Sequence, residues 1–283
     1  MTTTNTLAQQ RPFSKALTAV AWVPGLPQIH LSPDKSTAWE TLRAATRDLG
    51  RHIESLGTKR IVYFSTQWIS VLGQSFQAKA NLTGLHVDEN WHDMGDLPFQ
   101  FKVDTAFAGK MAQAAKEIGC STQLVDFEGF PVDTGTIVAD ALLNRKGLPT
   151  GMVSCHVYAD YTATRKLFAA LRSAIEADGT PTAVVAVSSI TTNYFTTNMD
   201  PREDHIRDQN DQIWMDKLLK SFEGGSMTLT DSIVRDMGAA VKTDMGLKAY
   251  AAIGGVIGDA AMRPATVVAC GPIHGTGNAV VAF

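Results

Sequence analysis

The segment Thr182–Ser189, TAVVAVSS, does most to restrict how this chain can fold. It is a continuous run of small and β-branched residues, too short for an ordinary helix and without the polar alternation of a strand that has one wet face. Continuous apolar strands belong to sheets covered on both sides. Further strand-like runs occur at Thr18–Val23, Arg60–Ser65, Thr122–Phe127 and Met152–Val157. Between them the spacing predicts helices. Ser36 stands as an N-cap, with Glu40 near enough to help satisfy the first free N–H groups. Trp39, Leu42, Leu49, Ile53 and Leu56 then recur at helical spacing, and Gly57 ends the run. Asp104–Ile118 (followed by Gly119), Asp133–Leu142 and Tyr161–Ala177 read the same way. Strands alternating with helices predict an α/β fold whose central sheet is mostly parallel or mixed, with helices on both faces.

After Ser189 the texture changes. Residues 190–212 are polar and rich in Thr, Asn and Asp. Ile206, Ile213, Trp214, Leu218 and Phe222 then suggest a helix that Gly224-Gly225 ends, and two more helices are expected at Leu229–Val241 and Leu247–Ile257. Two strand-like runs, Thr266–Cys270 and Asn278–Phe283, flank GPIHGTG. No Pro/Ser-rich linker or repeat interrupts the pattern. The expectation is a flexible N-terminal tail, residues 1–14, and one domain, residues 15–283.

With 45% hydrophobic and 19% charged residues, wholesale disorder is excluded. A net charge of −3 argues against a nucleic-acid partner and gives no pull toward anionic membranes. No apolar stretch reaches the ~18–20 residues of a membrane helix. Cys120, Cys155 and Cys270 are odd in number and widely spaced, which suits neither a disulfide framework nor a cysteine zinc site and points to the cytoplasm.

Ligands of open α/β sheets sit beyond the carboxyl ends of the strands. The loops of interest are therefore Pro24–His30, Ser65–Gly73, Asp126–Asp133, His156–Tyr161 and Ser189–Asn198. GPIHGTG has no Lys-Ser/Thr pair and opens no helix, so it reads as a hairpin turn rather than a phosphate loop. His86-Val-Asp88-Glu89-Asn90-Trp91-His92 is the densest set of metal-ligand types, but it lacks the HExxH spacing and reads as a hydrogen-bonded surface loop. Cys155 and His156, adjacent on a strand, point to opposite faces and do not make a nucleophile–base pair. Asp208, Asn210 and Asp211 lack the Gly and distal Glu of a calcium loop and read as the solvated start of a helix.

Tyr63-Phe-Ser-Thr-Gln-Trp-Ile-Ser-Val-Leu-Gly73 resembles the class III extradiol dioxygenases, the protocatechuate 4,5-dioxygenase-like ring-cleaving enzymes. VPGLPQ (Val23–Gln28), STQW (Ser65–Trp68), HVDENWHDMG (His86–Gly95), GFPVDTG (Gly129–Gly135), FTTNMDPREDHI (Phe195–Ile206) and GTGNAVV (Gly275–Val281) are similar to its aminophenol-cleaving branch. The resemblance covers nearly the whole chain after about residue 15 and implies that family's α/β fold. It also implies an Fe(II) site of two His and one Glu, with a third His as acid/base.

This sequence departs from the family at each of those positions. Gly25 stands where the first iron His precedes x-Pro, Gln67 where the second lies in Thr-His-Trp, and Asn193 where the acid/base His is expected. The ligand Glu falls near Thr243–Gly246, where Asp244 is the one acid. Glycine offers no ligand, an amide oxygen does not replace imidazole, and asparagine exchanges no proton near neutral pH.

The resemblance therefore implies a non-catalytic α subunit with no metal or cofactor of its own. Its partner would be a homologous iron-bearing β subunit, in an α2β2 assembly that opens the ring of 2-aminophenol, with Fe(II) and O2, to 2-aminomuconate 6-semialdehyde. Two alternatives remain open. One is an active metalloenzyme whose ligands have shifted to His30, His86, His92 or His156. The other is a non-catalytic binder of an aromatic ligand in a relic pocket formed by Trp68, Asn193, His156 and Tyr158.

Overall fold

Successive residues of Thr182–Val187 enter two different cores. Val184 and Ala186 join one, while Ala183, Val185 and Val187 join the other. That is the period-2 geometry of a strand with both faces dry. The computed structural model describes residues 6–88 and 90–283. Its strands are β1 (Leu17–Val23), β2 (Arg60–Ser70), β3 (Gln74–Gln77), β4 (Asn81–His86), β5 (Leu97–Lys102), β6 (Thr122–Val125), β7 (Thr150–His156), β8 (Thr182–Val187), β9 (Thr266–Ile273) and β10 (Thr276–Ala282). Its helices are α1 (Gln28–Leu31), α2 (Thr37–Ser55), α3 (Thr105–Glu117), α4 (Thr134–Leu143), α5 (Tyr161–Asp178), α6 (Gln209–Gly224), α7 (Met227–Ala240) and α8 (Lys248–Ile257).

The eight-stranded sheet runs β6-β3-β7-β2-β8-β1-β10-β9. The central strands β7, β2, β8 and β1 are mutually parallel. β10 joins β1 antiparallel and β9 joins β10 antiparallel, so the sheet is mixed. One core holds residues of α3, α5, α6, α7 and α8, and the other those of α2, α4 and the β4–β5 ribbon. At the amino ends of the strands Arg60 is almost fully buried. Its guanidinium lies 2.8 Å from both Asp104 and Asp178 and 3.4 Å above the Phe107 ring.

Helix starts follow the sequence. Asp104, Asp133 and Asp160 cap α3, α4 and α5 by accepting from the N–H groups of Phe107, Thr136 and Ala163. Ser36 occupies the N-cap of α2, but its hydroxyl makes no cap bond. GPIHGTG is a hairpin whose two-residue turn is His274-Gly275, with φ of 49° and 87°.

Three short strands differ from the sequence reading. β3, β4 and β5 carry polar residues (QSFQ, NLTGLH, LPFQFK) and form through tertiary pairing rather than local propensity. His86 therefore ends a strand. Of the expected tail, residues 1–5 lie outside the described residues, as does Glu89 of the polar cluster. Gln10 is buried, and its amide donates to the Pro264 carbonyl and the Thr266 hydroxyl, so the chain is docked on the sheet from residue 10.

Candidate functional site

β2 leaves its register with β7 between Phe64 and Ile69, so Ser65–Trp68 bulges out at the carboxyl end of the sheet. The bulge carries the residues the sequence marked. The Gln67 amide donates to the Gly25 carbonyl at 3.2 Å, which puts two of the marked positions in direct contact. Gly25 is packed so closely that a Cβ there would lie 2.6 Å from Val187 Cγ1 and 2.7 Å from Gly135 Cα. The Ser65 hydroxyl donates to Asp133 at 2.6 Å, tying the bulge to the start of α4. The place where an iron His would stand is filled by neighbouring backbone and side chains.

Asp244 comes to the same strand ends. Its Oδ2 accepts from the Thr66 hydroxyl and the Ser188 hydroxyl, each at 2.7 Å, and from the Ser189 N–H at 3.1 Å. Burial raises its pKa, and these bonds only partly oppose that. The loop that delivers it is strained. Met245, Gly246 and Leu247 are all left-handed, with φ of 45°, 64° and 57°.

Asn193 is not aimed at this cluster. Its amide donates to Asp211 at 2.7 Å. Asp211 corrects an expectation. It is buried rather than part of a solvated helix start, and burial raises its pKa against the bonds from Asn193 and Thr191. Asp208 does cap α6, by accepting from the Asn210 N–H.

The relic pocket is dispersed. Trp68 packs edge-on against Phe130, with ring centres 5.9 Å apart, and the cavity beside it is about 10 Å³, room for no more than a water. His156 and Tyr158 do not line that cavity. They pack on each other 6.1 Å apart, and Tyr158 is 79% exposed. Cys155 is buried while His156 is half-exposed, as their strand positions require. Burial pushes the Cys155 thiol up to about 11.

The four histidines of the shifted-ligand reading have separate roles. His86 Nε2 hydrogen-bonds the Thr134 hydroxyl at 2.8 Å, and that hydroxyl donates to Asp88. His30 is held below its usual pKa by burial and by Arg43 and Arg47. His92 lies in an exposed 3₁₀ turn, and His156 beside Tyr158. Among the described residues, no three His, Cys, Asp or Glu side chains are grouped to hold a metal ion. The donor set at the strand ends does not fit Fe(II) either. It consists of a glycine, a primary amide bonded to a carbonyl, and one carboxylate already bonded three times.

Sequence reasoning missed Thr66, Ser188 and Gly135, which close the site. Thr66 lay in a loop of interest and Ser188 in the strand-like run Thr182–Ser189, but nothing local distinguishes their hydroxyls from others.

This chain belongs to the family of class III extradiol ring-cleaving dioxygenases. Its membership is shown by 32% identity over 263 residues, 92% of this chain and 96% of the relative, to the 2-aminophenol 1,6-dioxygenase alpha subunit of a Pseudomonas species. The beta subunit of the same name, also from Pseudomonas, is 23% identical over 265 residues, 88% of this chain and 85% of its own. An uncharacterized protein of Escherichia coli K12, JW3007, shares the fold, with a TM-score of 0.60 and 13% identity over 84% of this chain and 91% of that one. The chain matches no family model.

Proposed function

We propose that this chain is the non-catalytic α subunit of a heteromeric, Fe(II)-dependent extradiol dioxygenase. In this reading it pairs with a homologous, iron-bearing β subunit as α2β2 in the cytoplasm, and the complex opens 2-aminophenol to 2-aminomuconate 6-semialdehyde. The observation that carries the reading is the close packing at Gly25, where the first metal ligand of an active member would need room for a side chain. The similarity to an alpha subunit over 92% of the chain supports the same assignment. So do three free cysteines, which suit a reducing compartment.

The role of such a subunit is to cover and stabilise a partner surface. The chain has an exposed apolar patch of its own. Ile69, Val71 and Leu72 at the end of β2 are exposed, and the Val157 N–H bonds to the Ser70 carbonyl, which brings Tyr158 to the same patch. Leu72 is 74% exposed. Clustered apolar exposure of this kind marks an interaction surface.

The test is to purify the chain alone and together with its β partner under anaerobic conditions. The chain alone is expected to hold no stoichiometric iron and to leave 2-aminophenol intact, while the complex holds iron and turns over. Turnover by the isolated chain refutes the proposal.

A further inference from the structure

One edge of β4 is free. In its two-stranded ribbon β4 pairs with β5 alone. The Val103 N–H donates to the Ala80 carbonyl in the same register, which sets the phase of the ladder. Ala80, Leu82, Gly84 and His86 turn their N–H and C=O groups toward β5, and Asn81, Thr83 and Leu85 turn theirs away. Pro98 agrees with this phase, since it stands opposite Leu85, where β5 donates no N–H to β4. Among the described residues, nothing bonds the outward backbone groups of Thr83 and Leu85.

A groove of about 420 Å³ lies between Asn81–Val87 and the Phe127–Val132 loop. A cavity on one face of a strand touches alternate residues, because side chains alternate. This one touches every residue from Asn81 to Val87, so it runs along the backbone edge, where the outward groups point. Leu85, Val87 and Phe127, which line it, are each more than half exposed. Lys79 and Glu128 line it too, but they pair with each other and cancel. The groove also continues the apolar patch at Leu72. The Ser121 hydroxyl, just before β6, donates to the Leu72 carbonyl, and β6 leads past exposed Leu124 to Phe127.

We propose that this groove takes up an extended, uncharged segment of the β subunit, which adds to β4 as a third strand of the ribbon. The inference rests on the reading of this chain as an α subunit. N–H and C=O groups that recur at every second residue are met by another backbone, and main-chain pairing of this kind supplies affinity while alternate side chains supply selectivity. Apolar side chains on one face of the segment would cover Leu85, Val87 and Phe127. The cancelled charges of Lys79 and Glu128 suit a segment without net charge. The Phe127–Val132 wall makes the groove a slot, which admits a single chain and not the sheet edge of a second copy.

The experiment compares amide hydrogen exchange in the full chain, free and in complex with the β subunit. In the complex the Thr83 and Leu85 amides are expected to slow about tenfold or more. Thr83→Pro removes an outward N–H without touching a β4–β5 bond, as Pro98 does on β5. It should leave the melting temperature of the free chain nearly unchanged and weaken the β subunit about tenfold or more. Phe127→Ser, in the exposed wall, should weaken it similarly and serves should Thr83→Pro not fold. Leu229→Ser, exposed on α7, should leave pairing unchanged. A complex that forms and turns over while the Thr83 and Leu85 amides exchange as fast as in the free chain overturns the groove assignment and leaves the subunit reading standing. Undiminished pairing by both Thr83→Pro and Phe127→Ser does the same, and failure of any complex to form overturns both.

Discussion

A glycine decides what the residues at the strand ends can do. Gly25 offers no ligand, and its surroundings also refuse one, since Val187 and the Gly135 backbone occupy the space of a Cβ. Gly25→His, the change that would return an imidazole, is therefore expected to destabilise the chain by about 1–3 kcal/mol through overpacking. Denaturant unfolding measures the loss, and metal analysis of the variant should find no added iron. A stable Gly25→His chain that takes up Fe(II) contradicts this account. Position 25 was visible in the sequence as a departure from His-x-Pro, because the flanking Pro24 and Pro27 frame it. Its tightness was not visible, because that comes from Val187 and Gly135, both more than 100 residues away.

At the scale of elements, the longer helices were legible from their apolar spacing, while the one cap named from sequence, Ser36, makes no cap bond. Asp104, Asp133 and Asp160 each sit just before an apolar stripe and cap the helix the stripe predicts. β3, β4 and β5 were not legible, because short polar strands owe their existence to distant partners. Asp244 was legible as the only acid in its segment, but the hydroxyls that meet it come from β2 and the end of β8.

The junction of α4 with β2 carries a pH dependence. Asp140 accepts from the Tyr63 hydroxyl at 3.0 Å and from the Asn144 amide at 2.9 Å. Burial pushes its carboxyl up to about 7, against the lowering effect of both bonds. A carboxyl with a raised folded pKa is penalised once it ionises, so its contribution weakens the fold as pH rises from about 4 through about 7. Asp140→Asn keeps an acceptor and removes the charge. Its melting temperature should exceed that of the parent at pH 8, and the gap should close below about pH 4. A gap independent of pH over thermal melts in that range would contradict the assignment.

At the scale of the whole molecule, six stretches far apart in sequence meet at one end of the sheet. Gly25 lies against Gly135, His86 and Asp88 meet Thr134, Trp91 meets His274, and Asp204 holds the Trp39 indole and the His274-Gly275 turn. The overall α/β architecture could be read from alternating elements, and this convergence could not, because nothing local encodes it. The exposed patch around Leu72 belongs to this scale too, since it has meaning only toward another chain. Leu72→Asp should leave the melting temperature of the isolated chain nearly unchanged, as a surface change does, while reducing co-purification of the β subunit. Unimpaired co-purification of that variant places the contact elsewhere.

The approach of β1 to the start of α4 acts as a ratchet. While an imidazole stands at position 25 those two backbones must keep apart, but once it is gone they can settle against each other. With Gly25 and Gly135 already in contact, no single exchange reopens the space. A side chain at position 25 therefore has room only if both segments, and the Gln67 side chain that lies against them, move at once.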